Sequence, residues 1–208
     1  KISEQFDTPV FVRTTTRVAH SKSVVLLSEP QPAEDKTTLT RHAEKYVMVP
    51  VVARHRRIEV EKRQHALKKF AESFSENKME ILNPDVGIIT AGMPYNYAKD
   101  VFPDFSYLKL GMVHPLPEKM IRHFASQVKK IYVIEELDPY LEEQIKAMGI
   151  AVTGKDIFPY TNEFHPGIIR DAIYQEKTGA VSPYQEPLAA RPPNLCPGCP
   201  HRGLFYAL

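Results

Sequence analysis

Cysteine is nearly absent from this 208-residue chain: there are two, Cys196 and Cys199, and they share one turn. So small a supply, three positions apart, excludes a disulfide framework spanning a fold and points to a reducing compartment, the cytoplasm. Long apolar runs are missing as well. Stretches such as Tyr46 to Ala53 and Ile131 to Ile134 fall far short of the roughly 20 residues needed to cross a bilayer, so no membrane segment is expected. A charged start followed by an apolar run and a small-residue cleavage site, the mark of a secretory leader, is not seen either. Charge of one sign has no real surplus: the net value of +2 gives no field that would recruit nucleic acid or an anionic membrane. Neither G-x-G-x-x-G nor a P-loop occurs, so the strand-to-helix loops lack the glycines of a nucleotide cradle.

What is present is enough to build a core. With 43% hydrophobic and 25% charged residues, the chain reads as one or two folded domains and not a disordered tail. It starts at Lys1 and closes in an apolar stretch, Gly203 to Leu208, and is expected to be a segment of a larger polypeptide. Val10-Phe11-Val12, after Asp7-Thr8-Pro9, predicts a short buried strand, and Val24 to Leu27 a second. From Arg54 to Phe74 apolar positions recur at helical spacing while basic residues fill the other faces, which predicts a solvated amphipathic helix.

From Pro84 to Glu176 the pattern alternates. Strands are predicted at Val86 to Thr90, Tyr107 to Leu110, Ile131 to Glu135 and Ile150 to Thr153; helices at Tyr95 to Phe102, Pro117 to Val128, Pro139 to Met148 and Pro166 to Glu176. Such alternation makes a compact α/β domain with a parallel sheet and helices on both faces. Pro117 and Pro139 fall in first turns, Asp138 is placed to cap, and Gly149 to end a helix in a left-handed conformation. Beyond Lys177, prolines 183, 187, 192 and 193 form an extended spacer.

In an open parallel sheet ligands bind beyond the carboxyl ends of the strands, which here means the loops after Thr90, Leu110 and Glu135. Those loops bring His114, able to titrate near neutrality, and the carboxylates Glu135 and Glu136, either an acid–base pair or helix-start carboxylates favoured by the dipole. Arg13 and Arg17 flank three threonines and would suit a carboxylate or phosphate. The strongest pattern is Cys196-Pro197-Gly198-Cys199. It is half of a tetrahedral zinc or iron–sulfur site, or all of a dithiol redox site; a proline spacer, not a thioredoxin-like strand, precedes it, which favours metal or cluster ligation.

The whole chain resembles the thiamine-diphosphate-dependent 2-oxoacid:ferredoxin oxidoreductases, in the part held by the alpha subunit of the indolepyruvate enzymes. The resemblance runs through Phe6-Asp7-Thr8-Pro9-Val10-Phe11-Val12-Arg13-Thr14-Thr15-Thr16-Arg17, through Val86-Gly87-Ile88-Ile89-Thr90-Ala91-Gly92, and through Leu108-Lys109-Leu110-Gly111 with His114-Pro115-Leu116-Pro117. It continues in Val133-Ile134-Glu135-Glu136-Leu137-Asp138-Pro139-Tyr140-Leu141-Glu142-Glu143-Gln144 and in Arg191-Pro192-Pro193-Asn194-Leu195-Cys196-Pro197-Gly198-Cys199-Pro200-His201-Arg202-Gly203.

The resemblance implies a layout: 1–30 the end of a pyrimidine-binding thiamine domain, 31–83 a connecting segment with the basic helix, 84–176 a transketolase C-terminal-like α/β domain, 177–195 a linker and 196–208 the start of a pyrophosphate-binding thiamine domain. It implies oxidative decarboxylation of indole-3-pyruvate and other aryl 2-oxoacids to acyl-CoA, with electrons passing to ferredoxin. Thiamine diphosphate with Mg2+ and 4Fe-4S clusters are the implied cofactors, and a beta subunit, ferredoxin, coenzyme A and further copies of the enzyme the implied partners. Cys196 and Cys199 would be cluster ligands, and Arg13, His114 and His201 would lie near substrate or cofactor. No Gly-Asp-Gly segment that would hold Mg2+ and diphosphate occurs in these residues, so the chain by itself is expected to be inactive, with a role in assembly and in shaping the active-site wall. The competing expectation is a non-catalytic α/β interaction module whose C-x-x-C begins a structural zinc site.

Overall fold

The computed structural model describes residues 1–29, 41–177, 195 and 198–208. In chain order the described helices and strands are α1 (Ile2–Phe6), α2 (Thr16–His20), α3 (Ala43–Tyr46), α4 (Pro50–Ala71), β1 (Lys78–Glu80), β2 (Val86–Ala91), α5 (Met93–Val101), β3 (Ser106–Leu110), α6 (Glu118–Gln127), β4 (Lys130–Ile134), α7 (Tyr140–Ala147), α8 (Pro166–Tyr174) and α9 (His201–Ala207). They fall into two compact units, one of Lys1–Lys62 with Glu186–Leu208 and one of Arg63–Gln185.

The second unit is the α/β domain the alternation predicts. Its sheet has the order β1-β3-β2-β4. β2 lies in the middle, parallel to both neighbours, with Ile89 opposite Leu108 on one side and Val133 on the other. The period of two along each strand sorts the core into two layers. Ile89, Leu108 and Val133 face a cluster completed by Ile121 and Phe124 of α6 and by Leu141 and Ile145 of α7. Ile88, Tyr107 and Tyr132 point the other way, onto Ala98 of α5, Phe158, Phe164 and Ile169 of α8. Helices therefore cover both faces, and near-continuous apolar strands such as Val86-Gly87-Ile88-Ile89 are the sequence signature of that burial. Gly87 is glycine because a side chain there would run into Phe124 and Val128.

Two expectations for this unit need correction. The sheet is not wholly parallel: β1 pairs antiparallel with β3 at its edge. Its Lys-Met-Glu sequence holds one apolar residue, too little to register as alternation. The predicted strand at Ile150 to Thr153 is a single parallel bridge, Tyr132 to Thr153, with Val133 N donating to Thr153 O at 2.9 Å and Thr153 N to Ile131 O at 3.0 Å. The segment is pinched between Gly149, left-handed at φ 79, and Gly154, where the backbone packs on the Glu142 carboxylate. That leaves no length for a ladder.

The first unit is of another kind. None of its described residues is buried. The predicted buried strand at Val10–Val12 is irregular and open, with Phe11 95% exposed, and Val24 to Leu27 likewise forms no strand, with Leu26 94% exposed. β-branched sequence makes a strand only where a partner and a covering layer exist, and the described part of this unit offers neither. Thr15 instead caps α2, its hydroxyl accepting from Val18 N at 3.4 Å.

The predicted amphipathic helix is α4, starting at Pro50, four residues before the expected Arg54. Of the predicted inner face only Leu67 and Ala71 are buried; upstream its exposed surface carries the i,i+3 pair Glu59–Lys62 at 2.8 Å and the i,i+4 pair Arg57–Glu61.

Candidate functional site

The carboxyl ends of β2 and β4 meet at a topological switch. From β2 the chain leaves into α5, on the face of Ile88; from β4 it leaves into α7, on the face of Ile89. Loops departing to opposite faces open a crevice between adjacent strand ends, where ligands of such sheets bind. Thr90 Oγ1 donates to Ile134 O at 2.7 Å and fixes the floor of that crevice. Gly92, at φ 67 and ψ −144, makes the turn into α5 in a conformation open to glycine alone, and the space beside it is empty.

The loop after β3 is held from below. Asn77, buried at the turn between α4 and β1, accepts from Gly111 N at 2.9 Å and Met112 N at 3.0 Å, and donates to Ala71 O at 2.7 Å. Gly111 is glycine because Glu76 fills the place of a side chain. The loop then delivers His114, exposed, with Nδ1 3.1 Å from the hydroxyl of Tyr140 at the start of α7. Burial pushes the Tyr140 phenol up, so it stays protonated through the physiological range. The His114–Pro115 bond is cis.

In the loop after β4 the carboxylates turn out to be structural. α6 and α7 have Pro117 and Pro139 at their N-cap positions, with no side-chain acceptor. Carboxylates from elsewhere take over: Glu72 accepts from Lys119 N at 2.8 Å and Met120 N at 3.0 Å, and Glu135 accepts from Leu141 N at 2.8 Å and Glu142 N at 2.9 Å. Burial raises the Glu135 carboxyl, and those two amide bonds pull it partly back. Glu136 accepts from Phe164 N at 2.8 Å. Directly after Glu136, Leu137 is left-handed at φ 63. The reading of Glu135 and Glu136 as helix-start carboxylates is thus the one the geometry supports for Glu135.

Behind this loop, Glu142 is buried and accepts from Lys146 Nζ at 2.6 Å and Lys155 N at 2.7 Å. Lys155 Nζ donates to Glu135 O at 2.7 Å and Pro159 O at 3.1 Å, over the rings of Tyr160 and Phe164. Burial lowers its pKa, against the pull of the surrounding carboxylates. Sequence reasoning singled out none of Asn77, Lys155 and Glu142; no spacing announces a residue whose partners are main-chain groups far along the chain.

The remaining predicted residues lie in the other unit. Arg13 is exposed in irregular chain before α2. Cys199 Sγ lies 3.4 Å from His201 Nδ1, at the start of α9. Cys196 lies outside the described residues. Among the described residues no group of three or more His, Cys, Asp or Glu is placed to hold a metal ion, and no helix is long and apolar enough to cross a membrane.

Comparison with known proteins gives the clearest assignment. The chain matches indolepyruvate oxidoreductase subunit IorA over its whole length: at 35% identity in Archaeoglobus fulgidus, 33% in Methanothermobacter marburgensis and 30% in Pyrococcus horikoshii. From end to end the chain is similar to IorA subunits. It spans 36% of the length of each of these relatives. No protein-family profile matches it. Among solved structures, a 2-oxoglutarate:ferredoxin oxidoreductase from Magnetococcus marinus, with 2-oxoglutarate, coenzyme A and succinyl-CoA bound, overlaps 63% of this chain and 24% of its own at a TM-score of 0.47 and 18% identity. The resemblance stated from the motifs is the one the IorA matches bear out.

Proposed function

We propose that the chain is the central part of an IorA-type alpha subunit that, with its beta subunit, oxidatively decarboxylates indole-3-pyruvate and other aryl 2-oxoacids to acyl-CoA and passes the electrons to ferredoxin. The observation that carries this is a match to IorA proteins, at 35% and 33% identity, that covers the whole of this chain. Residues 84–176 act as the transketolase C-terminal-like scaffold. Residues 1–30 and 196–208 contribute to the thiamine-binding domains on either side, and their exposure supports this: apolar chain such as Phe11, Leu26 and Tyr206, open here, becomes core once the flanking domains are in place.

Thiamine diphosphate with Mg2+ supplies the decarboxylation chemistry in this reading, and 4Fe-4S clusters the one-electron steps. Cys199 and His201 are donors of a suitable kind, with Cys196 as the further thiolate. The described residues complete neither site, so the steps on the cofactors lie outside what this chain does. Its own part is placement: His114 and Arg13 are assigned to the substrate and cofactor surroundings.

The test is anaerobic copurification of an IorA subunit containing these residues with its partner subunit, followed by viologen reduction on adding indolepyruvate, thiamine diphosphate, Mg2+ and coenzyme A. Reduction lost without thiamine diphosphate, and diminished together with the iron–sulfur absorbance in Cys196→Ala/Cys199→Ala, is the expected result. No reduction with any 2-oxoacid, together with bound zinc, would replace this reading with that of an interaction module.

A further inference from the structure

Near the carboxyl edge of the sheet, the start of α6 and the outer side of α7 border a half-open cavity of about 310 Å³, and of its lining the proposed chemistry uses only His114. One wall is cationic. Lys68 Nζ lies 3.2 Å from Glu118 Oε2 and Arg122 Nη2 2.9 Å from Glu118 Oε1, while Arg122 Nη1 donates to Met148 O at 2.9 Å. Two cations thus share one lining carboxylate, while the Glu72 carboxylate is held nearby on the amides of Lys119 and Met120. Arg122, and after it Lys68, holds the Glu118 carboxyl below the usual carboxylate range, so the triad stays ionised near neutral pH. Their side chains remain 54%, 35% and 49% exposed for Lys68, Glu118 and Arg122, leaving guanidinium and ammonium N–H groups open to solvent.

The opposite rim offers the hydrogen-bonded pair His114 and Tyr140 and the amide of Gln144, and the wall between is apolar, formed by Leu116 and Met148. The volume sits at the small end of ligand pockets, about 300 to 1,000 Å³. The positive wall excludes cations. Glu118 tempers the attraction for an anion, so the head group must engage the outward N–H groups of Lys68 and Arg122 and leave the carboxylate in place.

We propose that this cavity binds a small organic anion, an apolar body carrying one phosphate or carboxylate head, with Lys68 and Arg122 on the head, Leu116 and Met148 on the body, and His114 and Tyr140 on a polar edge. Of its residues only His114 was given a part in the chemistry proposed above; Lys68, Arg122, Leu116, Tyr140 and Met148 were not.

The experiment is NMR titration of the 208-residue chain with phenyl phosphate, benzoate and inorganic phosphate, following the His114 imidazole and the Met148 methyl group. A saturable shift of both signals with an aryl anion, about tenfold tighter than with inorganic phosphate, is expected; whichever aryl anion binds tighter names the head group. Arg122→Met should weaken binding about tenfold or more. Arg122 also anchors Met148 O, so His114→Ala, at an exposed position, is the second variant and should weaken binding severalfold with the fold intact by circular dichroism. Shifts that rise linearly without saturation, equal affinity for inorganic phosphate, or binding indifferent to both substitutions would overturn the proposal.

Discussion

Gly154 and Glu142 occupy the same place: a methyl group on the Gly154 α-carbon would fall inside the van der Waals radius of the Glu142 carboxylate. The carboxylate cannot retreat, since it accepts from Lys155 N and Lys146 Nζ. Gly154→Ala should therefore destabilise the domain by about 1–3 kcal/mol in thermal or urea unfolding. Adding Glu142→Ala to it should recover little, because Lys155 N then loses its acceptor.

Asn77 is the second sensitive point. Removing its side chain leaves Gly111 N and Met112 N without their acceptor and Ala71 O with only the longer bond from Phe74 N at 3.4 Å. Asn77→Ala should cost about 2–3 kcal/mol in urea unfolding, with Asn77→Asp falling between because it keeps the acceptor. The His114 imidazole signal should shift in both variants, since the loop that Asn77 pins carries His114.

Two buried or half-buried glutamates respond to pH with opposite signs. The Glu80 carboxyl is lowered, first by Lys99 and then by Tyr95, each at 2.7 Å. It contributes stability above its unfolded pKa, lost as pH falls through the folded value. The Glu135 carboxyl is raised by burial, so the folded state holds that proton more tightly, and its contribution grows on acidification. Glu80→Gln should flatten the fall in melting temperature below about pH 5, while Glu135→Gln should remove a stabilisation that builds up as the pH falls toward the unfolded carboxylate pKa from above it.

The contrast between the two units predicts a proteolytic order. The described residues of Lys1–Lys62 include none that is buried, whereas the sheet unit has both faces covered. Limited trypsin digestion followed by mass spectrometry should cut first among Arg13, Arg17 and Lys22, and leave the chain from Arg63 to Lys177 as the longest-lived fragment. Survival of the first unit at equal rates would contradict its lack of a core.

The α/β layout was legible in the sequence because burial on both faces writes itself into short aliphatic runs, and β2, β3 and β4 came within a residue of their predicted bounds. Val10–Val12 misled for the same reason in reverse: its composition is that of a strand, but a strand is a property of its neighbours. At the carboxyl edge, His114 was visible as a titratable loop residue, while its partner Tyr140 became meaningful only once the loop and α7 were side by side. Asn77 and Glu72 left no local trace because each acts across tens of residues, on Gly111 and Lys119 respectively.

The proline starts of α6 and α7 carry a consequence for inheritance. A helix capped by its own Ser or Asp can be copied into another protein with its cap attached. α6 takes its cap from Glu72, just past the end of α4, so gene rearrangements that move the sheet without that upstream stretch deliver a helix whose first amides are left to solvent. Selection on recombined descendants would then keep the end of α4 and the sheet travelling together as one heritable block.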